Sequence, residues 1–97
     1  MKLRFTRRAV ENLSEIAVYL HDRNPQAALR VRAAIDQSMK LLTAFPLAGR
    51  LQTTEGVRKL VTRRYFYLVY YTLNEASDEV VILNVKHPAR KRQHDDA

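Results

Sequence analysis

No cysteine occurs in the chain's 97 residues, which excludes disulfides, thiolate metal sites and a cysteine nucleophile. Glycine and proline are scarce, at two and three residues, so the chain is neither collagen-like nor a low-complexity disordered segment. Long apolar runs are missing as well. The longest uncharged stretch, residues 65–74, is about half of the ~20 apolar residues that a membrane-spanning helix requires. The opening Met-Lys-Leu-Arg-Phe-Thr-Arg-Arg returns to charge before a signal-peptide core can form. A cytoplasmic protein with no membrane partner is therefore expected. There is no Gly-rich phosphate loop, no His or carboxylate pair at metal-ligand spacing and no serine elbow. No cofactor and no metal are expected.

What the chain has in excess is positive charge. Seventeen Lys and Arg face ten Asp and Glu, a net of +7, and most of the cations are arginine. The planar guanidinium pairs with carboxylates and phosphates through two parallel hydrogen bonds, whereas lysine acts as a point charge. Two kinds of partner suit such a surface, nucleic acid or an acidic protein. With 46% apolar residues and a length far below the ~250 residues at which cores split, the chain should form one small globular domain.

Hydropathy patterning divides the chain into six elements. Lys2 to Phe5 alternates charged and apolar residues, as a half-buried strand does. Thr6 is a good N-cap, and Val10, Leu13, Ile16, Ala17 and Leu20 then recur at spacings of three and four, predicting a helix over residues 7–23. Asn24-Pro25 stops that helix and starts the next, because Asn caps and Pro is tolerated at the first helical position. A second stripe through Ala28, Val31, Ile35, Met39 and Leu42 predicts a helix over 26–45, so the two form a tight antiparallel hairpin. Residues 46–56 read as a loop. Three strands follow, at 57–63, 65–73 and 79–86, with a polar turn at 74–78.

The order β-α-α-β-β-β predicts an α+β domain with the helical hairpin packed on an antiparallel sheet. Strand 65–73 is apolar on both faces, with Tyr65, Tyr67, Val69 and Tyr71 on one and Phe66, Leu68 and Tyr70 on the other. The hairpin covers only one of these, so the second face is expected to need further chain or a partner.

Five segments, FTRRAVENLSEIAVYL, NPQAALRVRAAID, LLTAFPLAGR, EGVRKLVTRRYFYLVYYTL and EVVILNVKHPARK, stand in an order and spacing that resembles the ParE/RelE superfamily of toxins from bacterial toxin–antitoxin operons. The resemblance spans roughly residues 2–92 and implies one toxin domain over 1–92 with a polar tail at 93–97. It is closer to ParE. RelE-like toxins cleave mRNA on the ribosome with several Lys and Arg, including an Arg on the central strand. This sequence places Tyr67 where that Arg would align and Pro88 near a later one, and has no tyrosine after Tyr71. ParE-like toxins lack that set, commonly carry the His-x-x-Arg seen at His87 and Arg90, and poison DNA gyrase. The resemblance further implies a ParD-like antitoxin with a ribbon-helix-helix DNA-binding half and an acidic, amphipathic segment that wraps the toxin. Operator DNA would then be contacted only through that complex.

Three groups of residues are candidate sites. His87, Arg58 and Arg90 with a tyrosine hydroxyl have the chemistry for RNA cleavage, a base and an acid plus cations for the phosphorane. A lone His after a strand is more often structural, and catalysis is not the preferred reading. Arg58, Lys59, Arg63 and Arg64, with Lys86, His87, Arg90, Lys91 and Arg92, form a positive set for contacting a target, although charges near sheet edges also serve to prevent aggregation. The apolar residues Leu13, Ala17, Leu20, Val31 and Ile35 of the hairpin, with Tyr65, Tyr67 and Tyr71, are candidates for the antitoxin surface or, for the tyrosines, the core. The readings carried forward are a gyrase-binding toxin without catalysis, an mRNA endonuclease, and a non-toxic member kept for antitoxin binding.

Overall fold

The computed structural model describes residues 1–89. Strand β1 (Lys2–Phe5) leads into helix α1 (Arg7–Arg23) and helix α2 (Pro25–Ala44), followed by β2 (Arg50–Leu51), β3 (Val57–Val61), β4 (Leu68–Asn74) and β5 (Glu79–Lys86). The helix boundaries follow from their caps. The Thr6 hydroxyl accepts the Ala9 N–H at 3.1 Å, and the Asn24 side chain accepts those of Gln26 and Ala27, both at 3.1 Å, ahead of Pro25 in the first turn.

The α+β class and the helical hairpin on a sheet are as expected, and two features of the sheet differ. The sheet has five strands in the order β1-β5-β4-β3-β2, and it is mixed rather than wholly antiparallel. β1 lies parallel to β5, from Lys2 opposite Glu79 to Phe5 opposite Ile82. β5 is therefore an inner strand, which explains why Val80, Val81 and Ile82 are all buried. The second difference is β2. Arg50 and Leu51 pair antiparallel with Lys59 and Arg58, in a stretch whose polar composition reads as loop.

A β-bulge sets which side of β5 meets the helices. Tyr70 is opposite Asn84 and Tyr71 opposite Ile82, which leaves Leu83 unpaired. Strict alternation from Val80 and Ile82 would put Asn84 in the core; the extra residue puts Val85 there instead. Backbone groups beside the bulge find partners on the α1 side. The Leu83 carbonyl accepts the Thr6 hydroxyl at 2.8 Å, and the Val85 N–H is taken by Asn12 Oδ1 at 3.0 Å. Val31, Ile35, Met39 and Leu42 of α2, with Ala9 and Ile16 of α1, close the core over Val69, Tyr71, Val80, Ile82 and Val85.

β4 begins at Leu68, three residues later than its composition suggests. Tyr65 and Phe66 lie in a turn with φ of 68° and 56°. Thr62 holds that turn shut: its hydroxyl donates to the Arg64 carbonyl at 2.7 Å and accepts the Tyr67 N–H at 2.9 Å. The expected uncovered face of the central strand is correspondingly smaller. Leu68 is buried, the Lys86 ammonium lies 5.4 Å from the Tyr70 ring centroid, and Phe66 alone of the three projects outward, at 64% exposure.

Candidate functional site

Between α1 and α2 runs an apolar groove with a volume of about 450 Å³. All five hairpin residues expected at an antitoxin surface, Leu13, Ala17, Leu20, Val31 and Ile35, line it. The groove exists because small side chains, Ser14 and Ala17 on α1 and Ala28 on α2, stand where larger ones would fill the space between the helices. Phe5 extends its apolar lining at the end of β1. Arg32 and Asp36, 3.7 Å apart and both exposed, mark its polar rim. Val10, 55% exposed, also lines it; it shares the helical stripe that the periodicity assigns to the core, so nothing local distinguishes groove from core.

The tyrosines do not join the groove. Tyr71 is fully buried and Tyr67 is 3% exposed, both in the core, with Tyr65 packed at its edge. Tyr71 organises the turn after α2. Its hydroxyl donates to the Pro46 carbonyl at 2.7 Å and accepts the Gly49 N–H at 2.8 Å. Arg58, opposite Tyr71 on β3, donates from Nη1 to the Gly49 carbonyl at 2.8 Å and to that of Leu47 at 3.4 Å. Its guanidinium thus faces the loop, on the opposite side of β3 from Lys59.

Burial raises the Tyr71 pKa above its ordinary 10.0, against the opposing pull of the Gly49 N–H and the Arg58 charge. An acid with a raised folded pKa keeps its proton while the unfolded chain releases one. Its stabilising effect is complete below pH 10 and is lost as pH rises from there towards the folded value. Folding stability should therefore fall in that window by up to about 1.4 kcal/mol per pH unit on account of this group. Urea unfolding of the wild type and Tyr71→Phe between pH 8 and 11 isolates it. The expected result is a steeper alkaline decline in the wild type; equal slopes would refute the assignment.

The basic residues separate into two places. Arg58 pairs at Tyr71, whereas His87 follows β5 beyond Lys86, which pairs with Leu68. Three residues along β4 put them about 10 Å apart in the strand direction alone. His87 accepts the Ala89 N–H on Nδ1 at 3.0 Å, and its ring meets Tyr67 edge-on with centroids 5.2 Å apart. Arg63 and Arg64 are exposed in the β3–β4 turn at the same end of the sheet as Lys86 and His87. Lys59 lies opposite Tyr70. Arg90, Lys91 and Arg92 fall outside the described residues. Among those described, no group of three or more His, Asp or Glu is placed to hold a metal ion, and no helix is long and apolar enough to cross a membrane.

The turn that carries Arg63 and Arg64 also carries Phe66, a residue that reading by charge alone passes over. Consecutive aromatic residues at positive φ are unfavourable, each by about 1 kcal/mol or more relative to glycine. The Thr62 hydrogen bonds and the packing of Tyr65 and Tyr67 against the core hold the turn in place.

Known proteins share this fold. Residues 3–92 match the family described as the ParE toxin of the type II toxin–antitoxin system parDE. A curated relative from Sinorhizobium fredii (strain NBRC 101917 / NGR234), Y4kP, whose name places it among toxins, is 35% identical over 86 residues, 89% of this chain and 86% of that protein. The chromosomal ParDE toxin–antitoxin system of P. aeruginosa superposes with a TM-score of 0.77 at 28% identity, over 90% of this chain and 95% of that one. The E. coli RelBE toxin–antitoxin complex shares the fold, with a TM-score of 0.64 at 18% identity over 88% of this chain and 93% of that one. With the match running through both helices and every strand of the sheet, the chain belongs to the ParE toxin family of type II toxin–antitoxin systems.

Proposed function

We propose that this toxin acts by binding a host protein, DNA gyrase, so that replication stops, and that a ParD-like antitoxin holds it inactive by laying an amphipathic, acidic helix in the α1–α2 groove. The observation that carries the antitoxin half is the groove itself, an apolar trough of about 450 Å³ between two helices on a chain of net charge +7. A helix with one apolar face fits such a trough, and a segment that folds on binding covers a wide surface. Opposite charge steers the encounter. The likeness to a ParDE system supports a partner of the ParD kind. Operator DNA is reached through the ribbon-helix-helix half of that partner.

Binding rather than catalysis is favoured by the position of Arg58. In-line cleavage of RNA needs cations gathered at the phosphate beside the acid and base. Here the Arg58 guanidinium is hydrogen-bonded to the Gly49 and Leu47 carbonyls and stands apart from His87.

The test is to induce the chain alone in a bacterium and follow labelled thymidine and labelled leucine over the first minutes. Thymidine incorporation is expected to fall first. Leucine falling first would replace gyrase with the ribosome and restore the endonuclease reading. If neither falls in cells that contain folded protein, the chain is a non-toxic member of the family.

A further inference from the structure

No residue of the β3–β4 turn lines the helix groove. We infer that Phe66, presented with Arg63 and Arg64 at the tip of this turn, is the anchor by which the toxin grips an apolar pocket on an acidic surface of its host protein target. The inference rests on the reading above, that the chain works by binding a protein, and it names the residue that makes the contact.

Three observations carry it. First, Phe66 is 64% exposed at the end of the sheet away from the Tyr71 clamp, and no residue of the helix groove adjoins it in the chain. Second, Phe66 and its neighbour Tyr65 both occupy the left-handed region, at φ 56° and 68°. A turn there is best made with glycine or asparagine, so an exposed phenylalanine works against folding. Strain of this kind persists where the surroundings hold it in place, as Thr62 does here. The ring itself gives the fold little in return, because most of it is in water. Third, three positive charges lie at the same end of the sheet: Arg63, Arg64 and Lys86.

An aromatic anchor with arginine beside it is the pattern of a protein–protein hot spot. Nucleic acid is the less suitable partner. Single strands are held by several rings on which successive bases stack, and the other aromatic rings near this end are engaged within the chain. Arg64 lies 5.7 Å from the Tyr65 centroid, Tyr67 packs on His87, and Lys86 covers Tyr70. One free ring is an anchor, not a platform.

Phe66→Gly separates function from folding. Glycine relaxes the backbone at φ 56° and removes only an exposed ring, so Tm is expected to hold or to rise by up to about 5 °C. The inducer dose needed to arrest growth should rise at least about tenfold, while Phe66→Tyr, which keeps an aromatic ring, stays within about threefold of wild type. Arrest by Phe66→Gly at the wild-type dose would overturn the anchor and leave the toxin reading intact. A fall in Tm of more than about 5 °C would make the ring structural and also overturn it. A wild-type chain that arrests nothing would sink both. A labelled oligo(dT) or oligo(U) bound by the wild type and released by Phe66→Gly would transfer the site to nucleic acid, against the protein partner.

Discussion

Gly49→Ala is expected to remove about 3–5 kcal/mol of folding stability, a large part of the ~5–15 kcal/mol that holds a domain of this size together. The reason is space. A Cβ on residue 49 would stand 2.6 Å from Tyr71 Cε1, 2.7 Å from its hydroxyl and 3.0 Å from the Lys59 carbonyl oxygen. None of these neighbours yields easily. Tyr71 is fully buried and held by Pro46 and Gly49 through its hydroxyl, and the Lys59 carbonyl belongs to the β3 backbone. Relieving the clash means moving either the ring, which opens the core, or the loop, which breaks the Gly49 N–H bond to Tyr71 and loosens the Arg58 bond to the Gly49 carbonyl. Overpacking alone costs ~1–3 kcal/mol and each disrupted hydrogen bond about 1 kcal/mol.

Thermal unfolding should register the change as a drop in Tm of roughly 12–30 °C. Gly56→Ala is the control. That glycine has φ +77°, but its nearest obstacle to a Cβ is Thr72 Oγ1 at 3.7 Å. It should therefore suffer only the backbone penalty of about 1 kcal/mol. If Gly49→Ala proved no worse than Gly56→Ala, the close approach to Tyr71 would not be a constraint on the fold.

The Gly49 contact also shows where reading the sequence stops. Thr6 and Asn24-Pro25 are local signals acting on local groups, so both helices fall within a residue of their expected ends. The apolar stripes of the two helices are legible for the same reason, although the stripe does not tell the groove-lining Leu13, Ala17 and Leu20 from the buried Val31 and Ile35. Other features depend on contacts that periodicity does not carry. Tyr65 and Phe66 have strand-favouring side chains, yet the buried hydroxyl of Thr62 makes them a turn. Leu83 sits in an unbroken apolar run that gives no sign of a bulge. Arg58 counts as surface charge until its guanidinium is seen on the Gly49 carbonyl. The parallel seat of β1 beside β5 likewise depends on how the helical hairpin returns the chain. Periodicity reports a residue's own element; it does not report which distant carbonyl or ring that residue meets.

Ala17→Glu is expected to weaken the antitoxin complex by about 10²–10³-fold while leaving growth arrest intact. Ala17 is half-buried and lines the apolar floor of the groove. A helix bound there would cover it, so a glutamate at this position must either lose its water without a partner or hold the helix away. An uncompensated charge at a closed interface costs ~3–4 kcal/mol, and each ~1.4 kcal/mol is tenfold in Kd. An acidic partner makes the result worse, because the new carboxylate repels what the chain's positive charge attracts. The fold should tolerate the change, since the free groove is open to water.

Leu29→Glu supplies the comparison. It makes the same change in net charge on α2 at a position 71% exposed that does not line the groove. It should alter Kd by less than about threefold, the size of a rim effect. In cells, antitoxin co-expression should rescue growth from wild type and Leu29→Glu and fail against Ala17→Glu. Equal rescue of all three, with Kd values that agree, would place the antitoxin on another face of the molecule. Loss of growth arrest by Ala17→Glu on its own would instead make the groove the surface that meets the target, with the antitoxin competing for it directly.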